Sequence, residues 1–247
     1  MLHRSHKPLI ISRLEQFPAV AVFGPRQCGK TMLARGLSAC YFDLEQPGER
    51  LRLDAEWNDL IESKELIILD EAHEAPDVFP RLRGAIDNDR KRNGRFLLLG
   101  SVSPSLTKNI SESLAGRLAL VELSPFILGE LGSDRLDDLW LFGGYPDGGI
   151  LDPAAFGIWQ ESYLALLIER DLPAWGLPAK PRTTQRLVKM LAALQGQTIN
   201  SSQLAPALSM DGKTIDSYCD YLEGAYLIRR LAPYAANLKN GSSSHNE

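Results

Sequence analysis

Eight consecutive residues, Gly24-Pro25-Arg26-Gln27-Cys28-Gly29-Lys30-Thr31, have the spacing of an anion cradle. Glycine at both ends of the loop lets the backbone bend around a phosphate and turn its N–H groups inward. A helix starting at Gly29 adds its positive end to the same spot. Lys30 is then placed to reach β and γ phosphates, and the Thr31 hydroxyl to hold a magnesium ion. Gly24, Pro25, Arg26, Gln27, Cys28 and Gly29 complete the nucleotide-binding loop. About forty residues on, Leu66-Ile67-Ile68-Leu69 runs into Asp70-Glu71. A carboxylate at the tip of a buried strand can face a metal bound near that loop. Asp70 is therefore the candidate for magnesium, mostly through water, and Glu71 for polarising the attacking water. These are the Walker A and Walker B forms, and their implied ligands are ATP and Mg2+.

Two further candidates come from strand ends. Phe96-Leu97-Leu98-Leu99-Gly100 ends at Ser101. Ser101, or Ser103 beyond it, could contact the γ-phosphate or the attacking water if this strand lies between the two Walker strands. Arg117 stands just before a later strand, where a guanidinium can reach a neighbouring copy's nucleotide and stabilise the charge on a transferring phosphoryl group. That would make the chain a homo-oligomer. Arg170 is a weaker candidate for a contact from the lid. His73, in Asp70-Glu71-Ala72-His73, is read as a solvent-facing or hinge residue, because a helicase would need a second core domain. Cys28, inside the loop, could be redox-sensitive near helix N–H groups, but a position that tolerates many residues is the favoured reading.

The elements that must position these residues follow from apolar patterning. Ala19–Phe23, Tyr41–Leu44, Glu65–Leu69, Phe96–Leu99 and Leu118–Leu123 read as strands, and runs apolar in succession suit strands covered on both faces. Helical stretches, starting with Lys30–Ser38, separate most of them, which implies an α/β fold with a parallel sheet and helices on both faces. After Pro125 the pattern becomes helical. Leu151–Asp171 carries Trp159, Tyr163, Leu166, Leu167 and Ile168 as a stripe, and Pro173, Pro178 and Pro181 mark a linker. Three helices follow, Thr183–Leu194, Ser202–Leu208 and Thr214–Leu227, with Ile228–Tyr234 as a candidate strand. The organisation expected is an ATPase core over residues 1–125, a helical lid and linker over 126–180, a small winged-helix-like domain over 181–236 and a polar tail over 237–247.

Composition narrows the class. The 247 residues are 44% apolar and 23% charged, as in ordinary globular chains, and the formal charge of −4 rules out a uniformly basic wrapper of nucleic acid. Three widely spaced cysteines give neither a disulfide framework nor a zinc spacing. No run of about 18 apolar residues exists, so no membrane span is expected and the cytoplasm is the expected location. The last of the three helices carries Asp211, Asp216, Asp220 and Glu223 against Lys213. A phosphate-lined groove would repel that face, which favours a structural or protein-contacting role over DNA binding.

With these residues in place, the chain resembles a prokaryotic group of AAA+ ATPases from about Arg4 to Leu238. Beyond the Walker parts the resemblance lies in Tyr41-Phe42-Asp43-Leu44-Glu45, Gly100-Ser101, Gly116-Arg117, Leu123-Ser124-Pro125-Phe126, Gly143-Gly144-Tyr145-Pro146, Glu169-Arg170-Asp171 and Tyr221-Leu222-Glu223. It implies ATP binding and an AAA core with a helical lid and a winged-helix-like segment. It also implies a further C-terminal domain of unknown function with a nuclease-like fold; this sequence departs there and stops in a short polar tail soon after Leu238, as a truncated chain or a naturally short form would. The expected activity is hydrolysis of ATP to ADP and phosphate, coupled to movement of the lid and winged-helix segment. A slow-turnover nucleotide switch, a winged-helix DNA-binding regulator and, least of all, a small-molecule kinase are the alternatives.

Overall fold

The structure is a computed structural model that describes residues 3–100, 113–178 and 180–231. Five parallel strands, β1 (Ala19–Phe23), β2 (Tyr41–Asp43), β3 (Ile67–Asp70), β4 (Phe96–Gly100) and β5 (Leu118–Glu122), form one sheet in the order β2-β3-β4-β1-β5. β1, β3 and β4 are the strands read as continuous apolar runs, and they are buried almost throughout, as the inner strands of a parallel sheet must be. β5 is an edge strand, and there burial alternates, with Leu120 and Glu122 facing out. β4 lies between β3 and β1, the arrangement on which the reading of Ser101 and Ser103 depends.

Helices cover both faces. One layer is α1 (His6–Gln16) with α2 (Lys30–Arg35), whose Ile10, Leu14, Leu33 and Ala34 pack on Val20, Val22, Leu97 and Leu99. The other is α3 (Pro47–Glu62) with α4 (Val78–Asn88), whose Leu53, Phe79, Leu82 and Ile86 pack on Ala19, Ala21, Phe96 and Leu98. α2 stops at Arg35, short of the Ser38 expected, because Gly36 follows at once.

Short helices α5 (Leu128–Leu131) and α6 (Leu136–Phe142) lead to α7 (Phe156–Leu166), which runs into a wider turn at Leu167–Asp171. Of the expected stripe, Tyr163, Leu167 and Ile168 are buried and Trp159 is packed against them, whereas Leu166 is exposed. Then come α8 (Pro181–Ala193), α9 (Ser201–Leu208) and α10 (Gly212–Gly224). Asn200 caps α9 by accepting from the Ser202 N–H, and Asp211 caps α10 by accepting from the Thr214 N–H at 2.7 Å. Leu167, Leu172 and Leu177 share one apolar core with Leu187, Leu204, Ile215 and Tyr218, so residues on both sides of the proline linker pack together. Ile228 to Leu231 form no strand; the rest of that candidate strand lies outside the described residues.

Candidate nucleotide site

β1 ends at Phe23 and the loop bends at once. A Cβ on Gly24 would stand 2.1 Å from the Leu123 carbonyl oxygen, so only glycine lets the loop pass this close to the end of β5. Gln27 (φ 60) and Gly29 (φ 96) are left-handed and alternate with ordinary residues, which turns successive N–H groups into one concavity before α2. Lys30 is buried, and its ammonium donates to the Gly24 and Pro25 carbonyls at 3.1 and 2.9 Å, within the cradle it serves. Cys28 is buried, and burial pushes its thiol up despite Lys30 nearby, so it is not an activated thiol.

The acidic half lies against this loop. The Thr31 hydroxyl donates to Asp70 Oδ2 at 2.6 Å. The Tyr41 hydroxyl, from β2, donates to the same oxygen at 2.7 Å, and the Glu71 N–H donates to Oδ1 at 3.0 Å. A hydroxyl and a carboxylate so juxtaposed are the hard oxygen donors that magnesium takes, with phosphate oxygens and water completing its shell. Among the described residues no cluster of three His, Cys, Asp or Glu offers a rival metal site. Glu71 sits just past the strand tip with φ 48 and ψ 46. Its burial raises its carboxyl above the usual range, with His73 and Lys30 opposing.

Lys30, Thr31 and Glu71 line a cavity of about 830 Å³ that extends past Met32 and Leu33 to Phe126, Pro146 and Leu151. That volume lies within the range of small-molecule sites. One end of the cavity thus lies at the glycine-bounded loop and the acids, and the other, its more apolar end, at Phe126 and Leu151, with Arg4, Lys7 and Asp147 also on the wall. Gly143-Gly144-Tyr145-Pro146 shapes the apolar end. A Cβ on Gly144 would meet the Phe126 carbonyl oxygen at 2.0 Å, and the Phe126 N–H donates to the Gly144 carbonyl at 2.7 Å.

Several participants are not legible as motif members. Arg4, from the segment before α1, is buried, donates to the Cys28 carbonyl at 3.0 Å and stacks over Phe126. Trp159 of α7 donates to the Gln27 side-chain oxygen at 2.7 Å. Asp171 is buried and pairs with Arg26 at 2.8 Å and with Arg170 at 3.0 Å. In Glu169-Arg170-Asp171 it is therefore Asp171 that meets the phosphate loop, while Arg170 is mostly exposed and braces it. His73 is not solvent-facing: its side chain is 12% exposed and lies between Glu71 and Glu74.

Arg117 is paired with Asp87 of α4, Nε to Oδ1 at 2.9 Å and Nη2 to Oδ2 at 3.0 Å. It precedes Leu118, which is opposite Ala19, whereas the phosphate loop follows Phe23. Five residues of strand, about 16 Å, separate the two ends. Arg117 is thus placed away from this chain's own phosphate site. Ser101 and Ser103 lie outside the described residues.

Residues 16–132 match an AAA domain, and residues 133–246 match a domain of unknown function (DUF8612). Uncharacterized proteins of Mycobacterium bovis and Mycobacterium tuberculosis are each 41% identical over 233 residues, covering 91% of this chain and 52% of theirs. The chain therefore spans about half the length of these relatives, while its second half matches a domain of unknown function in its own right. The structure of a Walker-type ATPase of Pyrococcus abyssi superposes with a TM-score of 0.53 at 14% identity, covering 91% of this chain and 90% of that one, which is a likeness of fold. No described helix is long and apolar enough to cross a membrane. The parallel sheet, the glycine-bounded loop at the end of β1 and the match over residues 16–132 together identify the first half of the chain as an AAA domain with the P-loop ATPase fold.

Proposed function

We propose that the chain binds ATP with magnesium and hydrolyses it to ADP and phosphate, and that its nucleotide state is passed to the lid and the C-terminal helices. The observation that carries this reading is the 2.6 Å contact of Thr31 with Asp70, which joins the phosphate loop to the acidic strand tip. Lys30 would bind the β and γ phosphates, Thr31 and Asp70 would hold the magnesium ion, and Glu71 would polarise the attacking water. The metal supplies charge neutralisation on the phosphates. The apolar end of the cavity, between Met32, Phe126 and Leu151, suits the base. Coupling has a physical route, since Arg26 and Gln27 of the loop are held by Asp171 and Trp159 of the lid.

Phosphate release and nucleotide affinity test the proposal in wild-type protein, Lys30→Ala and Glu71→Gln. Lys30→Ala is expected to lose nucleotide. Glu71→Gln is expected to keep it and to lose release by about 100-fold or more, the usual contribution of such a base. Folded protein that takes up no ATP with magnesium present would overturn the reading. Undiminished release in Glu71→Gln would remove Glu71 from its role.

The C-terminal helices support a structural or protein-contacting part rather than DNA reading. Arg230, which follows α10, is tied to Asp220 and Glu223, and Arg186 of α8 donates to the Ala207 carbonyl. Their cationic groups are already engaged within the chain.

A further inference from the structure

Glu71 leaves β3 in a left-handed conformation, and a tight turn follows at once over Ala72–Glu74, closed by the Glu74 N–H donating to the Glu71 carbonyl at 2.9 Å. This turn folds His73 back onto the side chain of Glu71. Nδ1 lies 3.3 Å from Glu71 Oε2, and on the other side of the ring Nε2 lies 3.2 Å from Glu74 Oε1. Glu71 Oε2 and His73 Nδ1 are both sealed from solvent, and neither has an aligned hydrogen-bond partner among the described residues. Two sealed polar atoms 3.3 Å apart are costly unless they interact. Contacts of this kind are often long before ligand arrives and tighten in the reacting complex. The other charges near Glu71 are Lys30, Asp70 and Arg26, all on the phosphate side.

We propose that His73 is a positioning residue for Glu71, holding one carboxylate oxygen through Nδ1 while Glu74 anchors the far side of the ring, so that the other oxygen is presented to the phosphate cavity. This rests on Glu71 being the residue that polarises water. His73 lies outside the set of residues lining that cavity and acts only through Glu71. A misplacement of about 1 Å in such a group can cost about 100-fold in rate.

The two ring nitrogens can be tested separately. An asparagine amide nitrogen falls near Nδ1, and a glutamine amide nitrogen near Nε2. His73→Ala and His73→Gln are expected to lower kcat for phosphate release about tenfold or more, with nucleotide Kd held within about twofold. His73→Asn is expected to stay within about threefold of wild type. Glu74→Ala, at an exposed carboxylate, removes the oxygen beside Nε2 and is expected to lower kcat severalfold through loss of the anchor. Full kcat in His73→Ala, equal damage in His73→Asn and His73→Gln, or a loss lying wholly in Kd would overturn the proposal. If His73→Ala fails to fold, unchanged kcat in Glu74→Ala overturns it instead. Glu71→Gln separates the two levels. An active Glu71→Gln sinks the assignment of Glu71 itself, while an inactive Glu71→Gln beside a fully active His73→Ala sinks only the positioning role.

Discussion

Trp159→Phe and Asp171→Asn, alone and combined, should loosen the lid from the phosphate loop by an amount that can be worked out in advance. Trp159→Phe removes one N–H and leaves a ring that can still stack on Tyr145 and Tyr163, which lie 5.1 and 5.0 Å away. The lost bond to Gln27 is neutral, so it contributes about 1 kcal/mol. Asp171→Asn removes the charge that meets Arg26. Arg26 Nε lies 2.8 Å from Asp171 Oδ2 without the alignment of a hydrogen bond, so the contact counts as an ion pair. The Arg26 side chain is 33% exposed, and a pair so screened is worth about 1 kcal/mol. Together the two contacts hold the lid by about 2 kcal/mol, or about 30-fold in the docking equilibrium. Hydrogen exchange reads this directly. Protection of the amides in the loop and in residues 159–171 should fall by that factor in the double variant, and by about fivefold in Trp159→Phe, while β1, β3 and β4 stay protected. Protection unchanged within threefold in the double variant would refute the claim that these side chains fasten the lid.

Two further outcomes follow from the same geometry. Tyr41→Phe deletes one of three donors to the buried Asp70 carboxylate and leaves the ring beneath Arg35 in place; it should cost about 1.5 kcal/mol, seen as a melting temperature lower by about 3–6 °C, and an Asp70→Asn background should erase most of that difference. Arg117→Ala should leave nucleotide affinity unchanged and lower phosphate release at concentrations where copies associate, while dilute wild-type protein should already be slow; activity per molecule that is independent of concentration and indifferent to the substitution would exclude a role across copies.

The parts of the site that are legible in the sequence are those whose chemistry is carried by local spacing. Gly24, Gly29, Lys30 and Thr31 lie within eight residues, and the Asp70–Glu71 pair follows its apolar run directly. The strands were equally plain, because burial on both faces leaves unbroken apolar runs at β1, β3 and β4. Arg4 was not legible, since an arginine 24 residues before its carbonyl partner carries no periodicity that marks it as buried. The Gln27–Trp159 bond spans 132 residues and exists only because the lid folds over the loop. In Glu169-Arg170-Asp171 the charges were visible, but which of them faced inward was set by packing of the turn after α7. The solvent-facing reading of His73 fails for a related reason: a turn following a left-handed residue points its side chain back toward the strand it left.

The separation of Arg117 from the phosphate loop along β1 and β5 bears on how copies could be arranged. A patch that gives a guanidinium and a patch that receives one are different surfaces, on opposite ends of the strands. A twofold pair satisfies such a contact only if both surfaces fall within one self-complementary interface, each copy's guanidinium meeting the other's site. Head-to-tail association satisfies it for every molecule only when the series closes on itself; otherwise the last member keeps a nucleotide site with no donor. Under that arrangement, the number of competent sites would report whether the assembly is a closed circle or an open row.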